Sequence, residues 1–174
     1  MVDLHDGFLL HMYWHFFCLY IIYRIIFICS RGRGSFMQKI KVAIVGFGNV
    51  GKEVMEAVLD SPDMEVAGIV EVPDRVCQLQ GKTEDYSVVS DILELGSVDV
   101  AILAAGSRCV PQIAPYYLEK GINTVDAFDI HGDSIIKLKK ELTSIAKARD
   151  AVAIISAGWD PGTNSVTRTI MEAI

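Results

Sequence analysis

Three glycines at fixed spacing constrain the fold of this chain more than any other feature. A β-branched run at 40–45 leads into Gly46-Phe-Gly48-Asn-Val-Gly51, after which apolar residues recur at helical spacing over 50–59. The first glycine permits a tight turn, the second lets the backbone approach a pyrophosphate, and the third lets the helix pack against the strand. The alternative is a glycine-rich turn without a ligand, and the strand–turn–helix setting disfavours it.

Predicted strands alternate with helical patterns along the rest of the chain. Further strands are predicted at 66–70, 98–103, 122–125 and 152–155, with a short one near 86–89 in an otherwise mixed segment. Helices are predicted at 111–120, at 133–145 and from about Ser165, with Gly121 closing the first and Asp133 capping the second. Such alternation predicts a doubly wound parallel α/β sheet of the Rossmann type.

The length and charge are those of one acidic domain. The 174 residues suffice for a single core. Residues 1–36 hold two Asp and three Arg, a balance of +1, so of the net charge of −6 the remainder carries −7. Without clustered Lys and Arg, this domain is a poor candidate for nucleic-acid binding. The four cysteines form no CxxC pair, so we expect no metal site and a reduced, cytoplasmic protein.

The first 36 residues form an apolar extension that is separate from the domain at 37–174. Residues 8–29 are nearly continuous in aliphatic and aromatic side chains over the length of a membrane-spanning helix. Two histidines and one arginine inside this run would be costly in a bilayer. We favour a natural start at Met37, and a membrane anchor through 8–29 is the alternative.

The ends of four predicted strands carry candidate ligand-binding residues, because ligands of doubly wound sheets lie beyond the carboxyl ends of the strands. Glu71 ends the second strand 20 residues after Gly51, where an acid would bind the adenosine ribose. Three other strand ends have the sequences AAGS (104–107), TVDAFDIHGD (124–133) and SAGWDPG (156–162). Cys109, close by, is interpreted as a small buried hydrophobe rather than a nucleophile.

Three of these motifs together resemble the meso-diaminopimelate dehydrogenase family. GFGNVG, TVDAFDIHGD and SAGWDPG occur in the family's order, and the resemblance runs from about residue 39 to residue 174. It implies a dinucleotide-binding domain followed by a substrate and dimerisation domain that is largely missing here, with 165–174 beginning the segment that follows. The full-length family is expected to form homodimers, and a chain without the second domain is expected to turn over slowly or not at all.

The resemblance also implies a reaction and a set of site residues. Family members oxidise the D-configured centre of meso-diaminopimelate with a nicotinamide cofactor, usually NADP, releasing ammonia and 2-amino-6-oxopimelate. Asp129, Asp160 and Trp159 match the substrate pocket. The candidate cofactor-binding residues, taken from the glycine motif, the strand ends and the resemblance together, are Gly46, Phe47, Gly48, Asn49, Val50, Gly51, Glu71, Ala104, Ala105, Gly106, Ser107, His131, Gly132, Asp133, Pro161, Gly162, Thr163 and Asn164.

Each role has a plainer alternative. The two aspartates could be helix or turn caps, and the tryptophan could be core packing. A desolvated aspartate could bind the substrate ammonium and take part in proton removal. Where NADP-preferring members of the family carry arginines, this chain has Glu71, which would repel a 2′-phosphate, and Arg75, which could reach it. NADP and NAD therefore both remain open.

Two further functions compete with the dehydrogenase. One is a dinucleotide-binding module without catalysis, and the other is a membrane-attached nucleotide sensor. A related D-amino-acid dehydrogenase would share the same motifs.

Overall fold

The structure, a computed structural model, describes residues 39–80, 83, 85–130, 132–158 and 163–172. Its strands are β1 (Ile40–Val45), β2 (Met64–Val70), β3 (Val88–Val89), β4 (Val100–Leu103), β5 (Asn123–Asp126) and β6 (Ala153–Ile154). Its helices are α1 (Asn49–Leu59), α2 (Pro73–Leu79), α3 (Val110–Glu119), α4 (Asp133–Arg149) and α5 (Thr163–Glu172), with a 3₁₀ turn at Ile92–Leu95.

The six strands form one sheet in the order β3-β2-β1-β4-β5-β6, and every neighbouring pair is parallel. The chain first moves outward from β1 to β3 and then returns to the other side of β1 at β4. The strand order therefore reverses between β1 and β4, which opens a crevice at their carboxyl ends. This arrangement confirms the predicted doubly wound, Rossmann-type sheet.

Two apolar layers cover the two faces of the sheet. Alternate residues of β1 face opposite sides, because successive side chains of a strand point to opposite faces. Val42 and Ile44 pack with Val54 and Val58 of α1 on one face. On the other face, Ala43 and Val45 belong to a cluster that includes buried residues of α3 and α4. Helices on both faces explain why β4 and residues 42–45 of β1 are continuously apolar rather than alternating between apolar and polar residues.

The sequence-based prediction missed one helix and placed the ends of two others at different residues. Helix α2 lies in the segment at 71–90 for which the sequence pattern predicts no helix. Val76 is its one buried residue, so no apolar periodicity marks it. Pro73 at its first position was the available signal. Asp133 is not the cap of α4 but lies in its first turn, after Gly132 at the cap position with φ +74°. Helix α5 begins at Thr163, two residues before the predicted start.

Other predicted boundaries agree with the structure. Gly121 follows the end of α3 with φ +77°, and its amide bonds to the Leu118 carbonyl, as expected for a glycine that closes a helix. None of the described helices is long and apolar enough to cross a membrane. The apolar run at 8–29, and with it the choice between a membrane anchor and a start at Met37, lies outside the described residues.

Close approach of backbone to backbone ties α1 to the end of β1. A Cβ placed on Gly51 would lie 2.1 Å from the carbonyl oxygen of Gly46. Because that oxygen is backbone, a side chain at position 51 cannot be accommodated without moving the helix away from the strand. The packing role predicted for the third glycine is therefore present in the geometry.

We expect Gly51→Ala to lower the free energy of unfolding by about 2–3 kcal/mol, since overpacking against rigid backbone is costly. The measurement is urea unfolding followed by circular dichroism. Gly48→Ala is the matched control, because a Cβ on Gly48 meets nothing within 4 Å and its φ is −83°. That control should stay within about 1 kcal/mol of the parent. Equal losses in both variants would contradict the packing argument.

Candidate functional site

The candidate site lies at the carboxyl end of the sheet, in the crevice between β1 and β4. Gly46, the first residue after β1, has φ +91°, and its amide donates to the Val70 carbonyl at the end of β2. A Cβ on Gly46 would lie 2.9 Å from the amide nitrogen of Ala105, just after β4. The glycine turn and the 104–107 segment are thus neighbours across the crevice.

The start of α1 offers unblocked backbone to an anion. Gly48 occupies the cap position and provides no side-chain hydrogen bond to the first turn, so the amides there lack a side-chain acceptor from the cap. Space beside the Gly48 α-carbon is open, which leaves room for a ligand to approach the backbone. Amides at a helix N-terminus attract phosphate through hydrogen bonding and the helix dipole. The cradle therefore fits the pyrophosphate of a dinucleotide.

Glu71 and Arg75 bracket the same glycine turn from the end of β2. The Phe47 amide donates to Glu71 Oε1 at 2.6 Å, and Arg75 Nη2 donates to the Phe47 carbonyl at 3.3 Å. Arg75 Nη1 also lies 3.4 Å from Glu71 Oε1, and the side chain of Glu71 is 7% exposed against 45% for Arg75. The predicted ribose-binding acid is therefore largely covered, and the arginine is the more exposed charge.

Ser107 connects the ends of β4 and β5. Its hydroxyl accepts a hydrogen bond from the Asp129 amide at 3.2 Å and donates to the Ala127 carbonyl at 3.5 Å. This brings together two predicted site residues from different strand ends. Asp129 itself is exposed, so the desolvated carboxylate expected from the sequence is not found at this position.

The buried carboxyl at this edge belongs instead to Asp126, which the sequence analysis did not select. Asp126 is 2% exposed, and its Oδ1 accepts from the amides of Phe128 (2.9 Å) and Ser156 (3.3 Å). Burial raises the pKa of this carboxyl, and the two amide bonds oppose that rise. Its ionisation therefore costs the folded state stability as the pH rises through that pKa. Its place inside the TVDAFDIHGD motif was the available signal.

Several predicted site residues remain untested by this geometry. His131, Trp159, Asp160, Pro161 and Gly162 lie outside the described residues. Thr163 begins α5, and Asn164 follows it in the first turn.

Cys109 is exposed at the start of α3, so its interpretation as a buried hydrophobe was wrong. Within the described part of the chain, no group of three or more His, Cys, Asp or Glu residues could hold a metal ion.

Comparison with known proteins supports the fold of this chain and shows its family. The family model described as semialdehyde dehydrogenase, NAD binding domain, matches residues 41–130, which is more than half of the chain. A meso-diaminopimelate D-dehydrogenase from Bacteroides fragilis is 50% identical over 141 residues, covering 79% of this chain and 46% of the relative. The chain thus spans less than half the length of that relative.

Two solved structures share both the fold and part of the sequence. The Corynebacterium glutamicum diaminopimelate dehydrogenase in complex with diaminopimelate superposes with a TM-score of 0.63 at 32% identity, covering 79% of this chain and 42% of that one. An engineered D-amino-acid dehydrogenase bound to NADP+ gives a TM-score of 0.61 at 31% identity, covering 78% and 41%. The chain therefore belongs to the family of the semialdehyde dehydrogenase NAD-binding domain, and its resemblance to the meso-diaminopimelate dehydrogenases is confirmed.

Proposed function

We propose that the protein to which this chain belongs catalyses the NADP-dependent oxidative deamination of meso-2,6-diaminopimelate. The observation that carries the proposal is the junction at Ser107, which joins the segment beside the dinucleotide crevice to the exposed Asp129. The relatives named for this activity support the same assignment. This chain supplies the dinucleotide-binding domain and the strand ends that face the reacting centre of the substrate.

The residues of this chain would bind and orient the cofactor and the substrate. A bound nicotinamide would supply the acceptor for the hydride from the D-configured carbon of the substrate. The backbone at 46–51 would hold the pyrophosphate of the dinucleotide. The carboxylate of Asp129 binds the substrate ammonium and fixes that carbon toward the crevice. The ammonium would release one proton to water, and the resulting amine would lose the hydride and become an iminium. Water would then add, and the nitrogen would leave as ammonium to give 2-amino-6-oxopimelate.

Asp160 and Trp159 complete the proposed pocket by resemblance. Asp160 is proposed as the second acid at the reacting centre, and Trp159 as an aromatic wall of the same pocket. His131, Gly132 and Asp133 are proposed to contact the cofactor, together with the segment at 161–164. The far end of the substrate and the homodimer contacts are assigned to the part of the relatives that lies beyond this chain's match.

NADP is proposed as the preferred cofactor over NAD. The negative charge of Glu71 is compensated by the Phe47 amide and by Arg75, so its repulsion of a 2′-phosphate is reduced. The Arg75 side chain, which bonds to the glycine turn, is 45% exposed, so its guanidinium can pair with phosphate oxygens. The NADP+-bound relative is consistent with this choice.

The first measurement is the oxidation of meso-diaminopimelate by the protein expressed from the complete reading frame, followed as NADPH absorbance. We expect turnover with this substrate and a fall in kcat/KM of about 100-fold or more in Asp129→Asn, because charge-assisted orientation of the ammonium is lost. Ser134→Ala, at an exposed position in the first turn of α4, is the control. Turnover of simple D-amino acids alone would favour the related dehydrogenase. Dinucleotide binding without any turnover would favour the non-catalytic module.

The cofactor assignment is tested by Arg75→Ala. We expect the KM ratio of NADP to NAD to rise about tenfold, since one charge-assisted phosphate contact is lost. The ratio is the relevant readout, because Arg75 also bonds to the glycine turn and its loss can weaken both cofactors. Glu71→Gln keeps an acceptor for the Phe47 amide and should move the ratio in the opposite direction. Equal weakening of both cofactors in Arg75→Ala would refute the assignment.

Gly48→Ala tests the cradle itself. A methyl group in the open space beside Gly48 should weaken NADPH affinity by about tenfold or more, because the pyrophosphate can no longer approach the backbone. Isothermal titration measures this in the isolated chain. The stability of the variant, already a control for Gly51→Ala, shows that any loss of affinity is not loss of fold. Unchanged affinity would place the dinucleotide elsewhere.

A further inference from the structure

The ends of β5 and β6 are connected by one buried carboxyl after their regular pairing has stopped. The last paired residues are Val125 and Ile154. Beyond them, Asp126 Oδ1 accepts from the Ser156 amide at 3.3 Å, and the Asp126 carbonyl accepts from the Ala157 amide at 2.7 Å. The Asp126 side chain thus connects the two chain segments beyond the last backbone pair of β5 and β6.

The same carboxyl also shapes the exit from β5. Oδ1 accepts from the Phe128 amide at 2.9 Å, which fixes the turn one residue before Asp129. Ser156, whose φ is +60°, returns a hydrogen bond from its hydroxyl to the Phe128 carbonyl at 2.9 Å. Positive φ at a residue other than glycine is costly and persists only when its surroundings impose it. Asp126 is one of the groups that impose it here.

Burial of the Asp126 carboxyl lowers the stability of the folded chain. The residue is 2% exposed, and its Oδ2 has no hydrogen-bond partner among the described residues. Burying a carboxyl with one oxygen unsatisfied lowers stability compared with an apolar residue of similar size. Stability alone does not explain a carboxyl at this point. The carboxyl is explained by its bonds to the Phe128 and Ser156 amides, which set the path of the chain after β5 and after β6.

We infer that Asp126 is a positioning residue that holds Asp129 and the 156–158 segment in the arrangement the reaction needs. Asp126 accepts hydrogen bonds from the Phe128 and Ser156 amides, while Ser107, which follows β4, accepts one from the Asp129 amide. Asp129 is thereby held between two supports that come from different strands. The inference rests on the proposed function only for what Asp129 does, and the positions of the amides can be tested without any turnover.

Amide hydrogen exchange of the isolated chain, read by NMR, provides that test. Asp126→Ala should speed exchange at the Phe128 and Ser156 amides by about tenfold or more, because each loses its acceptor. Asp126→Asn keeps an Oδ1 acceptor and should restore protection to within about threefold of the parent. The Asn123 amide, which bonds to the Asp99 carbonyl at the opposite end of β5, is the internal reference and should not change.

Thr124→Val is the matched control variant. Thr124 is 1% exposed on the same face of β5 as Asp126, and its hydroxyl also has no partner among the described residues. Removing this hydroxyl alters a buried polar group on the same strand without touching the connection to β6. Exchange at Phe128 and Ser156 should therefore remain as in the parent.

Kinetics of the complete protein show whether the connection serves the reaction. Asp126→Ala should lower kcat for diaminopimelate at least tenfold while the KM for NADP stays within about twofold, and Asp126→Asn should recover most of the loss. A purely structural role would change both constants or neither. Absence of turnover in the parent protein would refute the proposed function and leave the exchange result standing.

Three results would overturn the inference. One is unchanged exchange at Phe128 and Ser156 in Asp126→Ala, and another is equal acceleration at Asn123, which would indicate global loosening. The third is altered exchange with unchanged kcat. If Asp126→Ala does not fold, Asp126→Asn decides: retained protection at both amides supports the inference, and loss at either amide overturns it.

Discussion

The contact between Gly51 and the Gly46 carbonyl is the constraint on which the rest of this structure depends. It brings α1 directly onto the end of β1, so the helix begins where the central strand stops. Because β1 lies beside the point where the strand order reverses, the N-terminus of α1 is held at the mouth of the crevice. A side chain at position 51 would separate the helix from the strand, and the amides at the helix N-terminus would move with it.

Side-chain hydrogen bonds hold the strand ends together where the sheet ladder stops. Glu71 connects the end of β2 to the glycine turn, Ser107 connects β4 to β5, and Asp126 connects β5 to β6. Each acceptor satisfies a backbone amide that no strand partner reaches, and such amides are costly to leave unpaired when buried. At the carboxyl edge of the sheet, the chain is therefore positioned by these polar side chains rather than by regular secondary structure.

The candidate site could be predicted only where local pattern and ligand chemistry coincide. The glycine turn is a contiguous motif whose function follows from its spacing, and Asp129 stands at a strand end within a motif of the resembled family. Asp126 lies at the end of the same strand and in the same motif, but the motif does not indicate its role, because that role depends on Ser156, which lies 30 residues further along the chain. The exposure of Asp129 was likewise unpredictable, since burial depends on neighbours from other elements.

The sequence by itself determined the alternation of strands and helices, the glycine turn and the sheet class, because each rests on local spacing and apolar periodicity. Tertiary structure decided which strands are neighbours, where α2 forms with one buried side chain, and which carboxyl is buried. It also decided that Glu71 is covered and compensated while Arg75 is exposed. These properties arise from contacts between residues far apart in the chain, and no local pattern encodes them.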